Sequence, residues 1–295
     1  MSFEKILCFG TLNPDLIYFV DEIPKKGDDI RSSDSLIRAG GTAINCAEKI
    51  VLWNKSVHVR GNSIGKDPLG EYLLNHLKSK NINHDDLIID KGITPTCSIF
   101  VDKTGERTIV SSGYQKSSWN NFDNIDSYDS LMLDRYSIEF VKEDLIEIQK
   151  NKNLFVSQAG YEHKIDYKLD FLTVSKDEIT VNEANDLVES KTVRYILLTS
   201  SNLPARLISL EGAIEIVPPD FKTINANGAG DTTAAYIAAF GVEDLIPNIK
   251  KACAAGAIVA GTNDEPTIEK IEEIAELVEV NPVSYTHLRA HETRT

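Results

Sequence analysis

Asn225-Ala-Asn-Gly-Ala-Gly-Asp231 runs directly into an apolar helical stretch, Thr232–Phe240. Gly228, Ala229 and Gly230 are small enough for a turn whose backbone N–H groups approach an anion closely. A helix starting there adds its positive N-terminal end at the same spot. Asp231 then falls in the first helical turn, beside the anion site. A carboxylate placed there can take a proton from a hydroxyl while the amides hold the developing negative charge. Phosphoryl transfer to an alcohol has those needs: positioning and charge stabilisation, with little covalent chemistry. Taken alone, the stretch reads equally well as an ordinary loop with an N-capping aspartate.

A second glycine turn, Ala39-Gly-Gly-Thr-Ala-Ile-Asn-Cys-Ala47, also enters a helical pattern, Ala43–Trp53. Gly40 and Gly41 let a ligand lie against bare backbone. Asn45 brings a donor and an acceptor near the helix start, suited to a sugar hydroxyl. In isolation this motif also reads as a tight strand–helix turn with a solvated asparagine.

In this order, the two motifs resemble the signatures of the ribokinase-like (PfkB-type) carbohydrate kinases. The first has the form Gly-Gly-x-x-x-Asn-x-Ala, here Gly40–Ala47; the second is Asp-Thr-x-Gly-Ala-Gly-Asp, here Asn225–Asp231. Gly10-Thr-Leu-Asn13-Pro-Asp15 resembles the end of the family's first strand, and Pro24-Lys-Lys-Gly27-Asp28 the stretch entering its lid. Gly65-Lys-Asp67-Pro-Leu-Gly70-Glu71 and Pro266-Thr267 resemble later family marks. The resemblance covers residues 4 to about 280. Each motif is weak alone; their order and spacing carry the assignment.

The resemblance implies a site. Asp231 becomes the general base, and Gly228, Ala229, Gly230 and the Asp231 backbone the anion hole. Asn13, Asp15, Gly40, Gly41 and Asn45 become the sugar-binding set. Thr199 and Asn225 join Gly228 and Gly230 on the nucleotide side. Glu178, in Ser175-Lys-Asp-Glu178, holds the last position of the family's Asn-x-x-Glu motif, which helps place Mg²⁺. Mg²⁺ keeps several waters, so one carboxylate acting partly through water is reasonable. The expected reaction is ATP-dependent phosphorylation of a hydroxyl on a sugar or sugar-like molecule. The expected partners are that substrate and the nucleotide, and the resemblance admits a homodimer through the lid.

Several nucleotide-side positions depart from the pattern. Ser175 replaces the motif's Asn, Asn225-Ala226 replaces Asp-Thr, and Ser201-Asn-Leu-Pro204 stands where a Gly-x-x-Gly turn is usual. Thr233 and Tyr236 are bulky for positions just after the base. Proline removes an N–H and fixes φ, which predicts a changed loop shape. Without a carboxylate at position 225, activation by a monovalent cation is not assumed. An alternative reading is a catalytically weak member that binds a sugar or sugar phosphate as a sensor.

Strands must alternate with helices to present these turns at one edge. Lys5–Phe9, Val57–Arg60, Ser130–Leu133, Leu154–Ser157, Phe171–Val174 and Tyr195–Thr199 are apolar runs of strand length. Helical patterns cover Ala43–Trp53, Pro68–Lys80, Glu139–Asn151, Glu183–Ser190, Asn248–Ala260 and Thr267–Val278. This predicts a three-layer α/β/α domain with a mainly parallel sheet. The hairpin Thr96–Val101 with Arg107–Val110 breaks the alternation; with Pro14–Leu36 it suggests a small β-lid. The expected kinase domain is 1–283, with lid segments near 14–38 and 92–112. Residues 284–295 lack periodicity and read as a disordered vector or read-through scar.

Composition excludes some classes. The chain of 295 residues is 42% hydrophobic, enough for a large core. A formal charge of −14 argues against nucleic acid or an anionic membrane as partner. No apolar run is long enough to span a bilayer, and Met-Ser-Phe-Glu-Lys has no signal-peptide layout. Cys8, Cys46, Cys97 and Cys253 are scattered and read as buried free thiols, which fits a cytoplasmic compartment. A dinucleotide-binding oxidoreductase is a poor fit, because the first strand leads into Gly-Thr-Leu-Asn-Pro-Asp and not into a Gly-x-Gly-x-x-Gly turn that opens a helix.

Overall fold

Side-chain alternation along the first strand sets the layers. In β1 (Lys5–Gly10), Ile6 and Cys8 enter one core cluster while Leu7 and Phe9 enter another. A strand buried on both faces reads as a continuous apolar run, as Ile-Leu-Cys-Phe does here. The computed structural model describes residues 3–148, 153–162, 164–200, 203–219, 221–222, 224, 227–262 and 264–282. The expected tail at 284–295 lies outside these residues, as do Asn225, Ala226, Ser201 and Asn202.

The chain continues through β2 (Asn13–Phe19), β3 (Asp34–Gly40), α1 (Thr42–Leu52), β4 (Ser56–Gly61), the short β5 (Ile64–Gly65), α2 (Pro68–Ser79) and the short β6 (Ile89–Asp90). A hairpin of β7 (Thr96–Val101) and β8 (Arg107–Ser112) precedes β9 (Ser130–Asp134) and α3 (Ile138–Ile148). Next come β10 (Phe155–Ala159), β11 (Leu169–Ser175), α4 (Val181–Glu189) and β12 (Val193–Ser200). The remaining elements are β13 (Leu203–Ser209), β14 (Gly212–Val217), α5 (Ala229–Phe240), α6 (Leu245–Gly261), α7 (Ile268–Ala275) and β15 (Glu279–Pro282).

The central sheet has the order β15-β14-β13-β12-β11-β10-β9-β1-β4. Pairing is parallel from β4 across to β12, then antiparallel out to β15. Residues of α1, α5, α6 and α7 pack on one face, and residues of α3 and α4 on the other. The fold is therefore the three-layer, mainly parallel α/β/α arrangement that the alternation predicts. A second sheet, ordered β3-β2-β7-β8, joins the hairpin to β2 and β3.

Two of the departures from the family pattern fall on described residues of β13 and α5. Pro204 lies at the start of β13, where it has no ladder partner, a position proline tolerates; the preceding Ser201 and Asn202 lie outside the described residues. Thr233 and Tyr236 lie in α5, after Asp231. Both are buried; Thr233 Oγ1 donates to the Ala229 carbonyl at 3.0 Å. Tyr236 stacks on Phe240 at 4.4 Å and meets Trp53 at 5.3 Å. Their bulk fills the packing around α5.

Candidate active site

The two glycine turns become the N-termini of α1 and α5. Gly41 caps α1 with φ +90° and no side-chain cap. A Cβ there would lie 2.7 Å from the Thr11 carbonyl carbon, so only glycine lets α1 start against the link between β1 and β2. Gly228 caps α5 in the left-handed region, φ +80°, again without a side-chain cap. A Cβ added at Gly228 or Gly230 meets nothing within 4 Å. The start of α5 thus fronts open space, where its N–H groups and dipole favour an anion.

Asp231 connects the two helices. Asn45 Nδ2 donates to Asp231 Oδ2 at 2.7 Å, and the Cys46 thiol donates to the Asp231 carbonyl at 3.3 Å. Burial raises the Asp231 carboxyl above its ordinary value, and the charge of Asp134 adds to this; the Asn45 hydrogen bond opposes it.

A cavity of about 380 Å³ lies on one side of this pair, lined by Asn13, Asp15, Arg38, Gly41, Asn45, Tyr114 and Asn227 among others. A chain of hydrogen bonds fixes its floor. Tyr114 Oη donates to Asn13 Oδ1 at 2.6 Å, Asn13 Nδ2 donates to Asp15 Oδ1 at 2.8 Å, and Arg38 donates to Asp15 Oδ2 at 2.9 Å. Burial pushes the Tyr114 phenol well above its ordinary value, so it stays a donor. Gly40 does not line the cavity. It stands behind Asp15, where a Cβ would come within 2.5 Å of the carboxyl carbon. Cys97 also lines the cavity, so it is not a core thiol; all four cysteines are free.

A second cavity, of about 230 Å³, is lined by Gly230, Asp231, Thr199, Ser175, Glu178 and Arg135 among others. Thr42 and Tyr136 line both cavities. Thr199 Oγ1 donates to the Val174 carbonyl at 3.2 Å. Glu178 accepts the Ser175 N–H at 2.8 Å and forms an ion pair with Arg135. The lining comes from the carboxyl ends of β9, β10, β11 and β12, the edge at which parallel α/β sheets bind ligands.

Asp134 anchors this edge. It is fully buried, and accepts from the Thr11 N–H at 2.7 Å, the Thr11 hydroxyl at 2.8 Å and the Ser137 N–H at 2.7 Å. Thr11 in turn accepts the Thr42 N–H at 3.3 Å, which seats the start of α1. Asp134→Ala would leave two buried backbone donors unpaired, at about 1–3 kcal/mol each. A fall of several degrees in Tm, read by calorimetry, is the expected result.

The candidate residues read from the sequence therefore gather at one edge: Asn13, Asp15, Gly41 and Asn45 on the larger cavity, Thr199, Glu178, Gly230 and Asp231 on the smaller. Gly228 and Ala229 begin the helix between them. Arg38, Tyr114, Asp134 and Arg135 escaped the sequence reading. Only Gly113 before Tyr114, with φ +95°, left a local signal of a turn there.

Known proteins share this fold. A family model described as pfkB family carbohydrate kinase matches residues 4–265. Ribokinase of Dictyostelium discoideum is 30% identical over 121 residues, 41% of this chain and 38% of that protein. The matched part thus spans well under half of that relative. A putative ribokinase from Agrobacterium tumefaciens superposes with TM-score 0.78 at 16% identity, over 93% of this chain and 98% of that one. Ribokinase from Thermotoga maritima superposes with TM-score 0.77 at 18% identity, over 93% and 99%. At such identities the superpositions carry the fold alone. The family-model match extends over most of the chain, and by it this protein belongs to the pfkB family of carbohydrate kinases.

Proposed function

We propose that the protein transfers the terminal phosphoryl group of ATP to a hydroxyl of a sugar or sugar-like molecule. The observation that carries this is the Asn45–Asp231 contact at 2.7 Å, which sets a carboxylate between two cavities and in the first turn of an uncapped helix. The larger cavity takes the sugar. Asp15, Asn13 and Asn45 present the polar atoms that bind its hydroxyls, with Gly41 as bare backbone. The smaller cavity takes the donor phosphates, with Thr199 and Asn225 on the nucleotide side.

Asp231 removes the proton from the acceptor hydroxyl. The acceptor oxygen forms its bond to the terminal phosphorus as the bridging P–O bond breaks, leaving a nucleoside diphosphate. The backbone of Gly228, Ala229, Gly230 and Asp231 holds the charge on the transferring group. One partly exposed carboxylate, Glu178, beside a phosphate cavity fits Mg²⁺, which takes few protein ligands and keeps its waters. When bound, the ion neutralises charge on the phosphates.

In this assignment the kinase domain runs 1–283, the sheet from 14–38 and 92–112 is a lid, and 284–295 adds nothing to activity. Two copies pair through the outer face of that lid, where Ile37 and Val110 are 52% and 54% exposed. No described helix is long and apolar enough to cross a membrane, and a cytoplasmic setting suits a nucleotide-dependent enzyme.

The base must be unprotonated, so kcat/KM rises with pH through the Asp231 titration. Burial sets that acid limb above the ordinary carboxylate range. Asn45→Ala removes the hydrogen bond that lowers it, so the limb moves to higher pH. A profile whose acid limb stays in place in the Asn45 variant argues against Asp231 as the base.

A thermal-shift screen of sugars, with and without ATP and Mg²⁺, identifies the acceptor, because a ligand of the native state raises Tm by mass action. Transfer of labelled phosphate to the sugar that shifts Tm supports the kinase reading. Sugar binding without transfer from ATP, GTP or another donor supports the sensor alternative.

A further inference from the structure

Among the described residues, the smaller cavity is lined by two carboxylates, Asp231 and Glu178, and by one cationic side chain, Arg135. A polyphosphate entering it meets like charge from both carboxylates. The helix N-terminus offsets only part of that. The guanidinium is the group whose planar fork matches a phosphate bidentately.

Arg135 is placed deliberately. It follows Asp134 at the end of β9, and its N–H donates to the Ala159 carbonyl at 3.1 Å. Gly160, at φ +81°, leaves room for its stem. A Cβ there would lie 2.8 Å from Arg135 Cδ and 3.2 Å from Glu178 Oε1. The head rests against three groups: the Glu178 carboxylate, the Tyr136 hydroxyl at 2.5 Å and the Tyr136 ring at 4.6 Å. Its charge is felt at Asp231, where it opposes the effect of burial. The side chains of Arg135 and Glu178 are 29% and 21% exposed, so water screens their attraction and the pair can open.

We propose that Arg135 receives the terminal phosphate of the nucleotide donor, and that Glu178 is its resting partner, given up when the phosphate arrives. This rests on the kinase reading and adds a residue and an order to it. Donor binding moves the guanidinium from carboxylate to phosphate. The same exchange frees Glu178, which the ion pair otherwise occupies. Arg135 then stands beside the transferring group, and the pair prevents the cavity from presenting two bare carboxylates to an incoming anion.

The test is calorimetric titration with ATP and with AMP in EDTA, where no metal contributes. Arg135→Met should weaken ATP binding about 10–100-fold, the range for lost hydrogen bonds to a charged group, and leave AMP unchanged. Arg135→Lys should recover part of the loss, since it restores charge without the fork. Glu178→Gln should tighten ATP binding in EDTA, because the competing partner is gone. If the ion pair only braces β9 against β11, both variants lower Tm and neither changes ATP affinity, which overturns the proposal. Should Arg135→Met fail to fold, Arg135→Lys and Glu178→Gln decide it by the same signs. A wild-type protein that binds no nucleoside triphosphate defeats the kinase reading itself, a different failure from a wild type that binds ATP no better than Arg135→Met.

Discussion

Asp231→Asn lowers kcat by about 10²–10⁴-fold and leaves KM for the sugar close to wild type. Asparagine keeps the shape of the side chain and still meets Asn45, but it cannot take a proton. The backbone that holds the phosphoryl group is untouched, because Gly228 sets the turn through its own φ and α5 is buried from Thr232 to Ala239. The loss therefore belongs to the proton transfer and not to binding. Sugar affinity measured by calorimetry, beside kcat from a coupled assay, separates the two. A variant with near-wild-type kcat places the base elsewhere. A variant that loses sugar binding along with kcat shows that the Asn45–Asp231 contact shapes the larger cavity as well.

The parts of this site that lie in one stretch of chain were legible from the sequence. Gly228–Asp231 and Gly40–Asn45 each combine a glycine turn, a helix start and a polar side chain within a few residues, so the local pattern already states the geometry. Arg38 and Tyr114 were not legible, because their roles depend on register. Arg38 faces Asp15 through the β2–β3 pairing, and Tyr114 reaches Asn13 across 101 residues. Asp134 and Arg135 end an apolar strand, where they look like ordinary loop polar residues. Their meaning appears only when β1 and β10 flank them. The antiparallel strands β13 to β15 were missed for a related reason. Pro204 reads as a loop residue unless it is known to sit at a strand start without a ladder partner. The expected final helix stops at Ala275, where the chain turns to pair β15 with β14. Amphipathic spacing marks such a helix but not its end.

Gly40→Ala raises KM for the sugar by about 10–100-fold and lowers Tm by several degrees, while kcat at saturation changes little. The backbone at Gly40 has no left-handed requirement, so alanine costs nothing there conformationally. The new methyl instead comes within 2.5 Å of the Asp15 carboxyl carbon. That carboxylate is held from both sides, by Asn13 at 2.8 Å and by Arg38 at 2.9 Å, and it cannot turn away without losing them. Asn13 then loses its orientation too, since Tyr114 fixes only its oxygen. Charge-assisted contacts of this kind are worth about 1.5–3 kcal/mol each, which sets the expected rise. The effect must pass through Asp15, so a double-mutant cycle tests it directly. Asp15→Ala alone should raise KM at least as much. Adding Gly40→Ala to it should then do nothing further, because the methyl enters the space the carboxylate has left. Full additivity of the two changes would show that Gly40 acts on the sugar itself or on α1, and that Asp15 is not the residue it protects.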